Sequence, residues 1–461
     1  MISGLAAMAA VGACVLRTCR LRFGGGFARD GVFGLLALLV GAGLCSIGHL
    51  GGLALGGLPW WLMPAGLVVA ALVAAAMRAP DPAPRRAEPV HARHPVEGLG
   101  IAVGWLALLV LGVQACGWIA TYADLLPHGD WDAWAIWNVK ARFLHAGAEA
   151  WPRVASTEMV WSHPDYPLLV PGLSAFLAAA GDVEPAEAAR TVGLVLPILL
   201  VLLPSLALGA LRGPAAGAAA GLVVVATPAF LLFGPHQLAD LPLAAFTCGA
   251  FVAVALAGQG SPGALPVAGL CTGFAAWTKN EGLLVALAVV GVWVVTRPPR
   301  RWIPTLRAWL PFVWGCLPGL GALLLFKSLL APPNELRAAT TLGGFAGRLF
   351  DPARHALSAQ GLWTHFTDQV GLALPLLATA TLLLRLRPRA ESADALRLLA
   401  AVLTLHLAVY AIFVTTPAEP AWHVSTSMDR LLWQQWPALV VATLLLSRSE
   451  TAPTGPAGTL G

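Results

Sequence analysis

Apolar residues run in long stretches along the whole chain, and short polar segments separate them. A membrane-spanning helix needs about 20 apolar residues, fewer where neighbouring helices cover its ends. Thirteen stretches fit this description, at 2–16, 32–50, 58–77, 98–120, 191–211, 213–233, 241–258, 262–277, 283–296, 308–330, 369–385, 396–414 and 431–447. Two of them, 262–277 and 283–296, are short enough to be half-helices. Because helices enclosed on all sides are apolar all round, the helical period adds little to these predictions.

Composition places the chain among membrane proteins. Of its 461 residues, 58% are hydrophobic and 11% are charged, whereas soluble domains carry about 25% charged residues. We therefore predict an all-α polytopic membrane protein. Its N-terminus is apolar before it is basic, the reverse of a secretory signal, which predicts a retained first span. None of the seven cysteines stands in a CxxC pair, so neither a disulfide framework nor a zinc ribbon is expected.

The charges sort by side when the thirteen predicted spans alternate across a membrane. Most of the 28 Lys and Arg residues then share a side with 78–97, and most of the 23 Asp and Glu residues lie opposite. Basic loops stay in the cytoplasm, so 78–97 is predicted to be a cytoplasmic linker and 448–461 a cytoplasmic, disordered tail. Three longer segments, 121–190, 331–368 and 415–430, are then outside. Topology accounts for the net charge of +5, which gives no reason to expect a nucleic-acid partner.

The first outer segment also contains a short apolar stretch at 167–180, which opens with Pro167 and Pro171. Counting it as a span would turn the later basic loops outward. We therefore predict a juxtamembrane helix that lies at the membrane surface or dips into it.

Two groups of polar residues in the first outer segment are candidates for chemistry. Asp130 and Asp132 directly follow a span, and a carboxylate at a membrane mouth can take a proton from an acceptor hydroxyl, since burial tunes its pKa. The alternative is a pair of solvated acids within an interfacial tryptophan belt. Further along, His163 and Asp165 are expected to face the space that the loop encloses. The alternative for these two residues is a proline-rich turn that contains a histidine whose hydrogen bonds are satisfied within the protein.

Three further polar segments fall on the same predicted side. Asp240 begins a span, where it either contributes to a site or caps the helix. Lys279 and Glu281 interrupt an apolar stretch; ionisable groups at such depth are costly and usually functional, although these two could also snorkel or pair. Arg430 opens the last predicted span, and arginine suits phosphate binding, with an interfacial anchor as the alternative. Carboxylates beside a lysine and an arginine at one membrane face fit a lipid-phosphate substrate.

At these segments the chain resembles the GT-C superfamily of membrane glycosyltransferases. The similarity covers roughly 98–447 and is greatest to the branch of protein O-mannosyltransferases, lipid A aminoarabinose transferases and lipopolysaccharide-core glycosyltransferases. Its motifs are Asp130-Trp-Asp132 in the first outer loop, His163-Pro-Asp-Tyr-Pro167 against an HPPL-type motif, Asp240 of the second outer loop, Thr278-Lys279, and Arg430 before a late helix. Asp165 and Tyr166 replace the Pro and Leu of the HPPL-type motif, which leaves the role of His163 open.

The resemblance implies a GT-C-like fold of about thirteen transmembrane helices, with juxtamembrane helices in a large first periplasmic loop. It divides the chain into extra N-terminal helices and a linker at 1–97, a catalytic domain at 98–447, and the tail at 448–461. It also implies a polyprenyl-phosphate-linked sugar donor and a hydroxyl acceptor on a lipid, glycan or protein. A single base beside cations further predicts direct displacement with inversion at the anomeric carbon. The composition, rich in Ala, Gly, Arg and Pro, is typical of bacterial proteins. A bacterial source would place the protein in the cell inner membrane, with its site facing the periplasm.

By the same resemblance Asp132 is the catalytic base, or Asp130 if the register differs by two residues. Lys279 and Arg430 would hold the phosphate leaving group, and Asp240 would place the donor or acceptor. The remaining residues of the expected substrate-binding set are His163, Asp165, Tyr166 and Glu281. The Asp130–Asp132 pair permits a divalent cation without requiring one. The alternatives are a transporter or flippase of a lipid-linked sugar, which predicts charges near the bilayer midplane, and a scaffold protein.

Overall fold

The computed structural model describes residues 1–21, 26–76, 95–261, 263–334, 341–386 and 392–448. Most of the predicted cytoplasmic linker and all but one residue of the predicted tail lie outside these ranges. Within them the secondary structure is helical, apart from one isolated bridge between Leu386 and Ser447.

The described residues form the following α-helices: α1 Ile2–Thr18, α2 Phe27–Ala54, α3 Leu62–Ala76, α4 Pro95–Leu125, α5 Val139–His145, α6 Leu169–Gly181, α7 Pro185–Arg212, α8 Pro214–Val225, α9 Pro228–Phe233, α10 Asp240–Gly258, α11 Ala264–Thr278, α12 Leu283–Val295, α13 Trp302–Ala308, α14 Leu310–Leu329, α15 Leu342–Leu349, α16 Pro352–Val370, α17 Ala373–Leu383, α18 Ala393–Thr415, α19 Pro420–Trp433 and α20 Trp436–Leu444. Short π- and 3₁₀-helical turns occur at Ala133–Asn138, Trp151–Ala155, Thr157–Ser162, Gly234–His236, Asn280–Gly282 and Pro299–Arg301.

The protein is an all-α polytopic membrane protein. Among the described residues, six helices are long and apolar enough to cross a membrane, or up to eight if each of two bent pairs is one span. Five shorter apolar helices accompany them. An apolar helix lies at each of the thirteen predicted positions, but length and composition do not confirm thirteen spans. In the apolar window of α10, 89% of the residues are buried, against 11% in α4, so α10 is central and α4 peripheral.

Proline and glycine set the helix boundaries that lead to α10. Gly213, at φ +110°, ends α7, and Pro214 begins α8, the usual places for these residues. After Val225 the chain bends by 63° and Pro228 starts the next helical segment, which ends at His236. The chain then turns into α10 at Asp240.

Contacts between helix termini show which termini lie together at each end of the bundle. At one, Arg190 near the start of α7 pairs with Asp124 at the end of α4, and Lys279 after α11 pairs with Asp240 at the start of α10. We call this the site end. At the other, Arg212 at the end of α7 donates to the Leu445 carbonyl after α20. We call this the basic end, because Arg212 belongs to the predicted basic side of the map.

Close packing of α11 against α14 determines which residues lie beside the end of α11. A Cβ on Gly269 would lie 2.0 Å from the Phe312 carbonyl oxygen, and one on Gly315 would lie 2.1 Å from that of Pro266. Only small residues let two helices approach this closely. The tight crossing places the segment after α11 beside the last turn of α14, which carries Lys327.

Two predicted elements differ from the structure. The stretch at 167–180 forms α6, whose first ten residues are all buried, so protein encloses this helix where a surface helix was predicted. The outer segment 331–368, for which no secondary structure was predicted, contains α15 and most of α16. The last predicted span, 431–447, is broken: α19 continues to Trp433 and α20 has only nine residues. Arg430 therefore lies in the last turn of α19, before the break, and not at the start of a helix.

Candidate functional site

A buried ion pair lies at the centre of the site end. Asp240 is 1% exposed, and its Oδ1 accepts hydrogen bonds from Lys279 Nζ at 3.1 Å and from Gln434 Nε2 at 2.6 Å. Lys279 Nζ also lies 3.7 Å from Glu281 Oε1. We call these four residues the Asp240 cluster. Lys279 can reach Asp240 because α11 ends at Thr278 and the backbone of Lys279 is extended.

A second, more exposed pair lies beside the Asp240 cluster. Arg430 Nη1 donates to Asp132 Oδ2 at 2.5 Å, and the side chains are 18% and 28% exposed. Arg430 Nη2 also donates to the Thr426 carbonyl, one turn earlier in α19. The carboxylates of Asp132 and Asp240 both act electrostatically on Arg430. The Arg430 guanidinium therefore lies between two carboxylates, the more exposed Asp132 and the buried Asp240.

The turn before α6 forms another polar cluster. Asp165 Oδ2 accepts from Asn334 Nδ2 at 2.7 Å, Lys327 Nζ at 3.0 Å and Asn280 Nδ2 at 3.4 Å. Burial raises the pKa of this carboxyl, but the Asn334 hydrogen bond and the Lys327 ammonium outweigh it and hold the pKa below its usual range. We call these residues, together with Lys140, the Asp165 cluster. Asn280 stands between Lys279 and Glu281, so this segment joins the two clusters.

Two lysines donate hydrogen bonds to backbone carbonyls of the same turn. Lys140 Nζ donates to the His163 carbonyl at 2.6 Å, and Lys327 Nζ donates to the Asp165 carbonyl. The Lys140 side chain is fully buried, and its ammonium lies about 6 Å from the ring centres of Trp137 and Tyr166. Burial lowers the pKa of Lys140 to about 7, which the nearby Asp165 carboxylate only partly offsets.

The lowered pKa of Lys140 predicts how stability depends on pH. Between about 7 and the ordinary value of 10.5, the unfolded chain holds a proton that the folded protein releases. The free energy of unfolding therefore rises with pH across this window. We expect the midpoint of thermal unfolding in detergent to rise from about pH 7 towards pH 10, and Lys140→Met to remove most of that rise. The same pH slope in this variant would contradict the assignment.

His163 and Tyr166 shape the turn instead of facing open space. His163 has a left-handed backbone at φ +47°. Its ring stacks on Tyr166 with centroids 4.7 Å apart, and Tyr166 in turn stacks on Trp137 at 5.8 Å. Of the two interpretations left open for His163 and Asp165, the proline-rich turn therefore fits these contacts better than side chains that face an enclosed space. Both belong to a turn whose polar groups are bound by protein.

Asp130 lies apart from the ion pairs. Its side chain is 57% exposed, and its Oδ2 is 3.6 Å from Nδ1 of His236. Another histidine, His423 of α19, lies near Arg430; burial, together with that cation, lowers its pKa. The site end therefore has a carboxylate–imidazole pair in addition to its carboxylate–cation pairs.

Five residues of the two clusters were not predicted as site residues: Lys140, Asn280, Lys327, Asn334 and Gln434. Lys327 was interpreted as a charge within a span, yet its partner is Asp165. The sequence could have indicated Asn280 as a site residue, because it stands between two predicted site residues. Nothing local distinguishes Gln434, which reaches Asp240 only because the chain breaks between α19 and α20.

The donor set does not favour a divalent cation at Asp130 and Asp132. No group of three His, Cys, Asp or Glu residues within the described ranges is arranged to hold a metal ion. Asp132 is bound by Arg430, and Asp130 faces His236. We therefore derive no step through a metal.

A narrow apolar crevice lies between α1, α2, α6 and α7. A second, smaller cavity shares Val192 and Leu196 with it and reaches Asn138, Gln237 and Leu241, the residue after Asp240. Apolar space thus extends towards the start of α10.

No known protein family, no curated protein and no solved structure matches this chain. The similarity to the GT-C superfamily therefore remains a resemblance of short motifs. The basis for assigning a function is the geometry of the site end.

Proposed function

We propose that this protein is a membrane glycosyltransferase of the GT-C type. It would transfer a sugar from a polyprenyl-phosphate donor to a hydroxyl of a lipid, glycan or protein, with inversion. The proposal includes about thirteen spans in the cell inner membrane and a site end that faces the periplasm. Its main support is the arrangement of Arg430 and Lys279 beside Asp132 and Asp240, at one end of an apolar helical bundle.

The two cations suit a phosphate leaving group. A guanidinium can bind two phosphate oxygens at once, and Arg430 is the more accessible of the two cations. Lys279 lies deeper, at 8% side-chain exposure, where an ammonium acts more strongly on charge that develops during the reaction. We propose that the donor phosphate first displaces Asp132 from Arg430 and that Lys279 then stabilises the departing phosphate. Asp240 and Glu281 hold Lys279 in place.

The apolar crevice suits the lipid part of the donor. A polyprenyl chain is apolar, and the crevice between α1, α2, α6 and α7 is lined almost entirely by apolar side chains such as Leu39 and Leu173. Its smaller neighbour reaches the start of α10, where Asp240 lies. A chain in this crevice would bring its phosphate to the site end. This arrangement would give the extra N-terminal helices a role in donor binding.

The position of the charges argues against a transporter. That alternative predicts functional charges near the bilayer midplane. Here Asp240 begins α10, Lys279 follows α11 directly and Lys327 lies in the last turn of α14. All three are at helix ends, including Lys327, which falls inside the predicted span 308–330.

A transfer assay tests the proposal. Membranes containing the full chain are incubated with a radiolabelled polyprenyl-phosphate sugar, and label in new glycosidic products is counted. We expect Asp132→Asn to lower transfer by roughly 10²-fold or more, the usual effect of removing a proton-transfer or charge-stabilising group. Glu149→Gln, which removes an exposed carboxylate from the same segment, is the matched control.

The assay has clear contrary outcomes. If the wild-type chain moves the lipid-linked sugar across vesicles without breaking its phosphate bond, the transporter is correct. If wild type forms product and Asp132→Asn forms it equally fast, Asp132 has no part in the reaction.

A further inference from the structure

Two segments about a hundred residues apart are joined closely at the rim of the site end. The Asp130 N–H donates to the His236 carbonyl at 3.1 Å. Asn138 Nδ2 donates both to Gln237 Oε1 at 3.1 Å and to the His128 carbonyl at 3.0 Å. The loop before the π-helical turn and the loop before α10 are thus held in one fixed arrangement.

Gly129 shows how closely the two loops approach. Its φ is +73°, and a Cβ built on it would lie 2.6 Å from the His236 carbonyl oxygen. Any larger residue would push the loops apart and would also strain the backbone. The position of His236 relative to Asp130 is therefore built into the fold.

The side chains of this junction form a carboxylate–imidazole pair. His236 Nδ1 is buried without a hydrogen-bond partner and lies 3.6 Å from Asp130 Oδ2. Asp130 Oδ1 accepts the Trp131 N–H at 2.7 Å, which orients the carboxylate. From α19, Arg430 and Asp429 also act electrostatically on His236. Catalytic hydrogen bonds are often long in a ligand-free enzyme and shorten when substrate binds.

Asp130 and Asp132 therefore have different partners. Arg430 binds Asp132 directly. Asp130 faces a histidine, the side chain whose ordinary pKa is nearest to neutral pH. A carboxylate that binds one imidazole nitrogen fixes the tautomer and leaves the other nitrogen able to accept a proton.

We infer that His236, oriented by Asp130, is the base that takes the proton of the acceptor hydroxyl. The inference rests on the proposed glycosyl transfer and assigns its proton acceptor. The hydroxyl O–H bond breaks and its proton passes to Nε2 of His236. The oxygen forms the new bond to the anomeric carbon. The bond from that carbon to the phosphate oxygen breaks, and its electron pair leaves with the polyprenyl phosphate. Asp130 stabilises the imidazolium, which then returns its proton to water.

Chemical rescue tests this assignment with the same radiolabelled donor and the full chain in membranes. We expect His236→Ala to lower transfer by about 10²- to 10⁴-fold and added imidazole to restore a substantial part of the lost rate. His236→Gln, which keeps a polar side chain but cannot take up a proton near neutral pH, should be as slow as His236→Ala. Asp130→Asn should show a smaller loss. His128→Ala, at an exposed histidine of the same loop, is the matched control and should transfer normally.

Imidazole separates a chemical role from a structural one, because it can replace a missing base but cannot repair a distorted loop. A wild-type rate in His236→Ala and His236→Gln would overturn the inference and leave the proposed transferase intact. A folded His236→Ala that imidazole does not rescue would also overturn it. Absence of transfer by wild type would instead overturn the proposed function and this role with it.

Discussion

Replacing Asp240 by alanine is expected to destabilise the protein by about 3–5 kcal/mol, the usual cost of leaving a buried charge without its partner. Asp240 and Lys279 are almost fully enclosed. Without Asp240 the Lys279 ammonium keeps only the longer contact to Glu281, and Gln434 loses the acceptor of its 2.6 Å hydrogen bond. The measurement is the midpoint of thermal unfolding of detergent-purified protein, with wild type scanned in parallel.

A double variant distinguishes loss of the pair from loss of the site. Asp240→Leu combined with Lys279→Met replaces both charges with apolar side chains, so it should regain most of the lost stability without regaining sugar transfer. Glu149→Gln, at an exposed carboxylate, should leave the midpoint nearly unchanged. If Asp240→Ala unfolds at the wild-type temperature, the ion pair does not stabilise this end of the bundle.

Replacing Arg430 by alanine is expected to lower sugar transfer by about 10²- to 10³-fold, the effect of removing one preorganised donor to a developing negative charge. Arg430 is the more accessible of the two cations proposed to hold the phosphate, and it binds Asp132. Arg430→Lys should retain only part of the activity, since an ammonium cannot bind two phosphate oxygens in the manner of a guanidinium. The initial rate of product formation at several donor concentrations measures the effect.

The concentration dependence shows what Arg430 does. If it stabilises the leaving phosphate, kcat falls; if it only binds the donor, KM rises and kcat is retained. Arg153→Ala, at an exposed arginine of the same outer segment, should behave as wild type. A wild-type kcat in Arg430→Ala would contradict the proposed role in the reaction. Added imidazole should not rescue this variant, in contrast to His236→Ala.

Helical structure and the grouping of the polar segments could be predicted from the sequence. Long apolar stretches can satisfy their backbone hydrogen bonds in a membrane only as helices or barrels, and apolar helices lie at the predicted positions. Alternation of spans also indicated that Asp132, Asp240, Lys279 and Arg430 share one face. The contacts Lys279–Asp240 and Arg430–Asp132 join these residues at one end of the bundle. Length and composition do not confirm the number of spans, because several of the apolar helices are short.

The partners of each charged residue were decided only by tertiary structure. Hydropathy and charge indicate to which end of a helix a residue belongs, but they carry no information on which helices are neighbours. Arg430 binds Asp132 across 298 positions of sequence, and Lys327 binds Asp165 across 162. Gln434 joins Asp240 because a predicted span is broken there. Helices that are apolar all round have no polar face to specify their orientation, so side-chain packing alone determines these neighbours.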